Sequence, residues 1–157
     1  MTEIRFVALP TETVAHYRAG SADANGQVPE RHIASGGGNP CRHCMDMIAD
    51  GDEMLVLAHR PFPEAQPYAE IGPILLHADA CERWEVDSAE IPPFLESPGY
   101  IVRGYSADNR IVYGTGSVIP TPDIPERAGT ILNRDDIAFV HVRSASNNCF
   151  HCRIDST

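Results

Sequence analysis

Cys41-Arg42-His43-Cys44 and Cys149-Phe150-His151-Cys152 are near-copies of one pattern, a C-x-x-C pair with His in the third place. A C-x-x-C turn lets two thiolates reach one ion from neighbouring positions, and two such pairs supply the four N/S ligands that Zn²⁺ favours. Compact zinc ribbons separate their pairs by roughly 15–20 residues, whereas 104 residues lie between Cys44 and Cys149. An ion shared by Cys41, Cys44, Cys149 and Cys152 would therefore be a clasp, tying the early part of the chain to its last strand. The clasp has a geometric condition. Residues three apart on a regular strand point to opposite faces, so Cys149 and Cys152 can share an ion only if residues 149 to 152 form a turn. The polar run Ser144 to Asn148 favours one. Neither pair is followed by the Gly common after metal knuckles; Met45 and Arg153 stand there instead.

Zinc is the first expectation for these ligands, and iron fits the same four sulfurs, since ligand type alone does not separate the two. A competing reading is redox. His before the second Cys resembles some disulfide oxidoreductases, with Cys41 as nucleophile and Cys44 as resolving thiol. That arrangement needs a strand before the motif and a long helix after it, and at most one helical turn, Met45 to Asp50, is expected after Cys44. A haem attachment needs His after the second Cys, which neither pair has. His43 and His151 are expected to support the ligands from behind, face solvent, or replace a Cys as ligand.

The 157 residues suit one domain with a substantial core. All twelve cations are Arg, and the chain has no Lys, which excludes a Schiff-base lysine, a pyridoxal-phosphate enzyme and a Walker-type phosphate loop. A net charge of −10 without a basic stripe argues against nucleic acid as partner. No stretch approaches the roughly 20 apolar residues of a membrane span, and Met1 to Val7 has no export-signal pattern. A cytoplasmic, reducing setting is expected, where C-x-x-C pairs are metal-binding or catalytic more often than disulfides.

Strands are expected at Ile4–Leu9, Arg31–Ala34, Glu53–Arg60, Ile71–Ala78 and Ile137–Arg143, with a hairpin of Tyr100–Ser106 and Arg110–Tyr113 turning at Ala107-Asp108-Asn109. Thr11 is placed to cap a short helix ending before Gly20. Asp123-Ile124-Pro125-Glu126 reads as a capping box, with Ile124, Ala128, Ile131 and Leu132 on one buried helical face. Together these predict a single α+β domain, mainly antiparallel sheet with two or three short helices, its C-terminal strand tied to the Gly-rich loop before Cys41.

Polar residues at strand ends offer a second kind of site. His59, Arg60, Glu70, His141 and Arg143 can be assembled into a ligand pocket with Arg as anion clamp, which leaves open an enzyme or ligand-binding module. The ordinary alternative is polar strand ends at the surface. His77 and Cys81, four apart beyond a strand, read as coincidence.

Pro40-Cys41-Arg42-His43-Cys44, Tyr68-Ala69-Glu70-Ile71-Gly72-Pro73-Ile74, Arg103-Gly104-Tyr105-Ser106-Ala107-Asp108, and Val140-His141-Val142-Arg143 leading to Cys149-Phe150-His151-Cys152-Arg153 carry a resemblance. The chain resembles, over nearly its whole length, a bacterial family of single-domain proteins known as domain of unknown function 1203. The resemblance implies one domain and brings no activity with it.

Overall fold

Ile4 and Phe6 are buried while Arg5 between them is exposed, the alternation of a strand with one wet face. They open the first of eight strands in a computed structural model that describes residues 2–157. In chain order the elements are β1 (Ile4–Val7), α1 (Thr11–Arg18), β2 (Glu30–Ile33), β3 (Glu53–His59), β4 (Gly72–His77), β5 (Gly99–Tyr105), β6 (Ser117–Pro120), α2 (Ile124–Leu132), β7 (Phe139–Ser144) and β8 (Phe150–Ser156). A single 3-10 turn, Thr121–Asp123, leads into α2. The fold is α+β, as expected from the sequence, but its strands divide into two sheets. A five-stranded sheet has the order β1-β8-β7-β5-β6 and a three-stranded sheet the order β2-β3-β4, with every paired strand antiparallel.

Each sheet has its own core. Ile124, Ala128 and Ile131 of α2 pack on the large sheet against Ile4, Val102, Val140 and Ile154. The fit is close at Gly104, where an added Cβ would lie 2.9 Å from both Ile131 Cγ2 and Ile137 Cδ1. The small sheet buries Leu55, Leu57, Ile74 and Leu76 against Val14 of α1, Cys41 and Ile48. Phe150 of β8 belongs to this second core, so the two sheets share a seam. No helix among the described residues is long and apolar enough to cross a membrane.

Two caps differ from the sequence reading. Neither Thr11 nor Asp123 makes a side-chain cap; Pro10 and Asp123 occupy the cap positions, and the Thr11 hydroxyl is engaged 2.9 Å from His43 Nε2. The hairpin turn forms at 107–109, with Asn109 in the left-handed region (φ 65°) and the Ser106 N–H donating to the Arg110 carbonyl at 2.9 Å. Beyond it only Ile111 pairs back, opposite Tyr105, and the strand that flanks β5 is the later β6.

The expected helical turn at Met45 to Asp50 is also absent. Residues 39–48 fold back on themselves, with the N–H groups of Cys41, Met45 and Ile48 donating to the carbonyls of Asp46, Cys41 and Asn39. Met45 takes φ 58°, the left-handed conformation that Gly would adopt freely. Its fully buried side chain in the large-sheet core holds it there. The knuckle that lacks a Gly is thus built with a Met fixed by packing.

Candidate metal centre

The Cys41 knuckle lies along β4. Cys41 pairs with Leu75 in a short parallel bridge, and the Arg42 N–H donates to the Leu75 carbonyl at 3.2 Å. The His77 N–H, at the end of β4, donates to Cys41 Sγ at 3.4 Å. After His77 the chain bends and brings Cys81 back over the same point. The ligand atoms of Cys41, Cys44, His77 and Cys81 all lie within 4.8 Å of one another, a three-cysteine, one-histidine group that can hold a metal ion. Cys44 Sγ is 3.5 Å from His77 Nδ1, and Cys41 Sγ is 4.0 Å from Cys81 Sγ.

The group is supported from outside. Arg18, in the last turn of α1, donates from Nε to the His77 carbonyl at 3.0 Å and from a terminal nitrogen to Cys81 Sγ at 3.1 Å. His43 Nδ1 is 3.1 Å from Cys81 Sγ, and with Nδ1 protonated its Nε2 accepts the Thr11 hydroxyl. Burial, reinforced by the nearby Arg18 charge, lowers the His43 pKa and keeps the ring neutral. The thiols are coupled: hydrogen bonds from Cys44 and Cys81 push Cys41 far below the usual thiol range, and Cys44 and Cys81 are raised by bonding to it. A thiolate at Cys41 would have both neighbouring thiols as donors, and thiolates are what bind metal.

Cys149 and Cys152 are not part of this centre. Among the described residues, no group of metal-binding side chains includes either. The reason is the strand geometry: residues 150–156 form β8, not a turn. A bulge opposite Val142 and Arg143 leaves Phe150, His151 and Cys152 all buried. Cys152 faces the large-sheet core, where burial raises its pKa, and Cys149 is half-buried in the preceding turn, 3.8 Å from the Asn147 carbonyl. His151 packs between Phe94 and Tyr100, at 5.5 and 5.1 Å, and burial pushes its pKa down to about 3. Its Nδ1 lies 3.1 Å from the Cys149 carbonyl.

The two C-x-x-C stretches nonetheless meet. Arg42, between the first two cysteine-bearing turns of the knuckle, sends its buried guanidinium to the Phe150 carbonyl (Nε, 2.9 Å) and the Pro40 carbonyl (2.8 Å). The expected clasp between the early loop and the last strand exists, made by a guanidinium in place of an ion.

The five pocket residues fall into two neighbouring clefts. His59, Glu70 and Arg143 line one of about 160 Å³ together with Cys149. Glu70 is engaged there by Arg103 at 2.9 Å, Arg143 at 3.4 Å and the Asn148 amide at 2.9 Å. His59, Arg60 and His141 line a larger cleft of about 530 Å³. His59 Nδ1 lies 2.9 Å from the Tyr17 hydroxyl, and burial, with Arg42 and Arg60 nearby, pushes its pKa down to about 4.

His77 and Cys81 were misjudged from sequence because four-residue spacing brings side chains together on a helix, and no helix is there. The usable signal is the pair itself: His ending an apolar strand and Cys following a short run of small residues around one acid, Ala78-Asp79-Ala80. The redox reading leaned on a helix N-terminus at Cys41, and the first helix after Cys44 among the described residues is α2.

No curated protein and no solved structure matches the chain. Residues 38–156 match the family described as protein of unknown function (DUF1203), and the chain belongs to that family.

Proposed function

We propose that this family member is a zinc protein in which Cys41, Cys44, His77 and Cys81 close a tetrahedral structural site. The observation that carries the reading is the convergence of all four ligand atoms within 4.8 Å from two stretches of chain, 41–44 and 77–81. Zn–S bonds near 2.3 Å put sulfurs about 3.7 Å apart in a tetrahedron, so contraction of about 1 Å or less completes the shell. Zinc is favoured over iron because three thiolates and one imidazole are a common structural zinc set. Such a site would carry a net charge of −1, offset by the Arg18 and His43 donors on Cys81. With four protein ligands the site has no open position for water, so the ion's role is to fix the knuckle, β4 and the 78–83 segment. A reducing, cytoplasmic setting follows from the proposal, since oxidation of any two thiols would remove ligands.

Metal analysis of protein purified without chelator tests it. About one zinc per chain is expected, with Cys81→Ser and His77→Ala falling below half, and Cys149→Ser and Cys152→Ala keeping the ion. Less than half an equivalent in the unmodified protein defeats the proposal. Equal loss on changing Cys149 or Cys152 would restore the shared four-cysteine clasp.

A further inference from the structure

The larger cleft, of about 530 Å³, has a charge that the rest of the molecule does not explain. Arg60, Arg83 and Arg153 line it in a chain whose net charge is −10, and Asp155 is the one acid on its wall. That acid is taken by Arg153 Nε at 2.5 Å. Arg60 donates only to carbonyls, those of Phe62 at 3.1 Å and Pro63 at 3.0 Å. Arg83 donates to the carbonyls of Leu9 at 3.0 Å and Ala8 at 2.7 Å, with a longer 3.8 Å contact to exposed Glu85. Carbonyls orient a guanidinium without neutralising it. Two held guanidiniums, Arg60 with no carboxylate partner among the described residues and Arg83 with only the long contact to exposed Glu85, therefore border one cavity whose size suits a small molecule. The remaining wall is apolar and ring-bearing, with Phe62 and Phe150. His141, also on the wall, is buried, and its Nδ1 has no hydrogen-bond partner among the described residues.

We propose that this cleft binds a small organic anion, its carboxylate or phosphate held by Arg60 and Arg83 and its ring-sized apolar body lying against Phe62 and Phe150. Fixing both guanidiniums beforehand lowers the ordering cost of binding. The bidentate fork of Arg suits either oxyanion. The site stands apart from the metal reading, because none of the groups that hold the anion is a proposed zinc ligand.

The test uses the protein as purified, with phenyl phosphate and benzoate as anionic probes and benzyl alcohol and inorganic phosphate as controls, by calorimetry and amide chemical shifts. At least one anionic probe is expected to bind one-to-one with Kd below about 1 mM, and both controls at least about 10-fold more weakly. Which of the two binds more tightly assigns the oxyanion. Arg60→Gln and Arg83→Gln are each expected to weaken binding about 10-fold, while Arg31→Gln on exposed β2 leaves it unchanged. Should Arg83→Gln loosen the chain at Ala8 and Leu9, Arg60→Gln decides, since its carbonyl partners lie within its own loop. The proposal is overturned if neither anion binds below about 1 mM, if benzyl alcohol binds as tightly, or if Arg60→Gln binds like the unmodified protein.

Discussion

Replacing Arg42 by Met tests whether the guanidinium clasp holds the two sheets together. The change keeps an unbranched stem of similar shape and deletes two charged donors, to the Phe150 carbonyl at 2.9 Å and the Pro40 carbonyl at 2.8 Å. Hydrogen bonds from charged donors contribute about 1.5–3 kcal/mol each, so their loss costs about 3–6 kcal/mol. An opposing effect comes from burial, which pushes the Arg42 pKa down to about 10. At about 1.4 kcal/mol per unit, burial disfavours the charged form by about 3 kcal/mol, and Met removes that penalty. The difference centres on about 1–2 kcal/mol of lost stability, or a fall in Tm of about 2–8 °C for a chain of this size. Urea unfolding and a thermal melt on metal-loaded protein measure it, with zinc content followed in parallel and expected to stay constant. Stability equal to or above the unmodified protein would refute the reasoning. Arg42 would then resemble those buried charges that apolar residues replace without loss, and the seam would rest on packing alone.

Gly104→Ala is expected to destabilise by about 1–3 kcal/mol, because the new Cβ would meet Ile131 and Ile137 at 2.9 Å beneath α2. A chemical denaturation midpoint equal to that of the unmodified protein would show that the helix can move away freely. Acid should unfold the protein between about pH 6.5 and 4. His59 and His151 have folded pKa values pushed to about 4 and about 3, with His141 also well below 6.5, all chiefly by burial. Above the unfolded value near 6.5 these rings are neutral in both states, and their contribution does not vary with pH. Below it the unfolded chain binds the protons first, and each His then removes about 1.4 kcal/mol per pH unit until its folded pKa is reached. His151→Phe should reduce the slope of stability against pH near pH 5 by about that amount, and an unchanged slope would mean that the ring is already protonated when folded.

The local pieces were legible because local patterns encode them. β3 and β4 are apolar runs bounded by turn residues, the apolar face of α2 recurs at helical spacing, and Asn109 marks its turn. Pairing between distant segments was not. Nothing in Ile4–Val7 announces β8 as its partner, and nothing in β2, exposed at every position, announces a separate small sheet. At the candidate centre Cys41 and Cys44 were readable because a tight turn alone brings them together. His77 and Cys81 depend on a bend after β4 and on that strand lying beside the knuckle, both consequences of tertiary structure. The second C-x-x-C misled because its spacing looks like a turn, while its pairing with β7 makes it a strand. Arg42 carried no local signal, because only the seam gives it buried carbonyls to serve.

The division into two sheets also orders events during synthesis. Residues 30–81 contain all of β2, β3 and β4 and all four proposed ligands, so the strand pairing of the small sheet uses contacts of modest sequence separation, although Phe150 joins its core later. Such contacts close early, and segments nearer the N-terminus emerge first. The large sheet differs, since β1 has no strand neighbour except β8. Ile4 and Phe6 must therefore wait, uncovered, until residues 153–156 have been made and can pair with them. A ribosome-bound chain that has made residues 1–110 has the strands of the small sheet beside an unpaired apolar strand, which makes β1 the segment for a chaperone to guard.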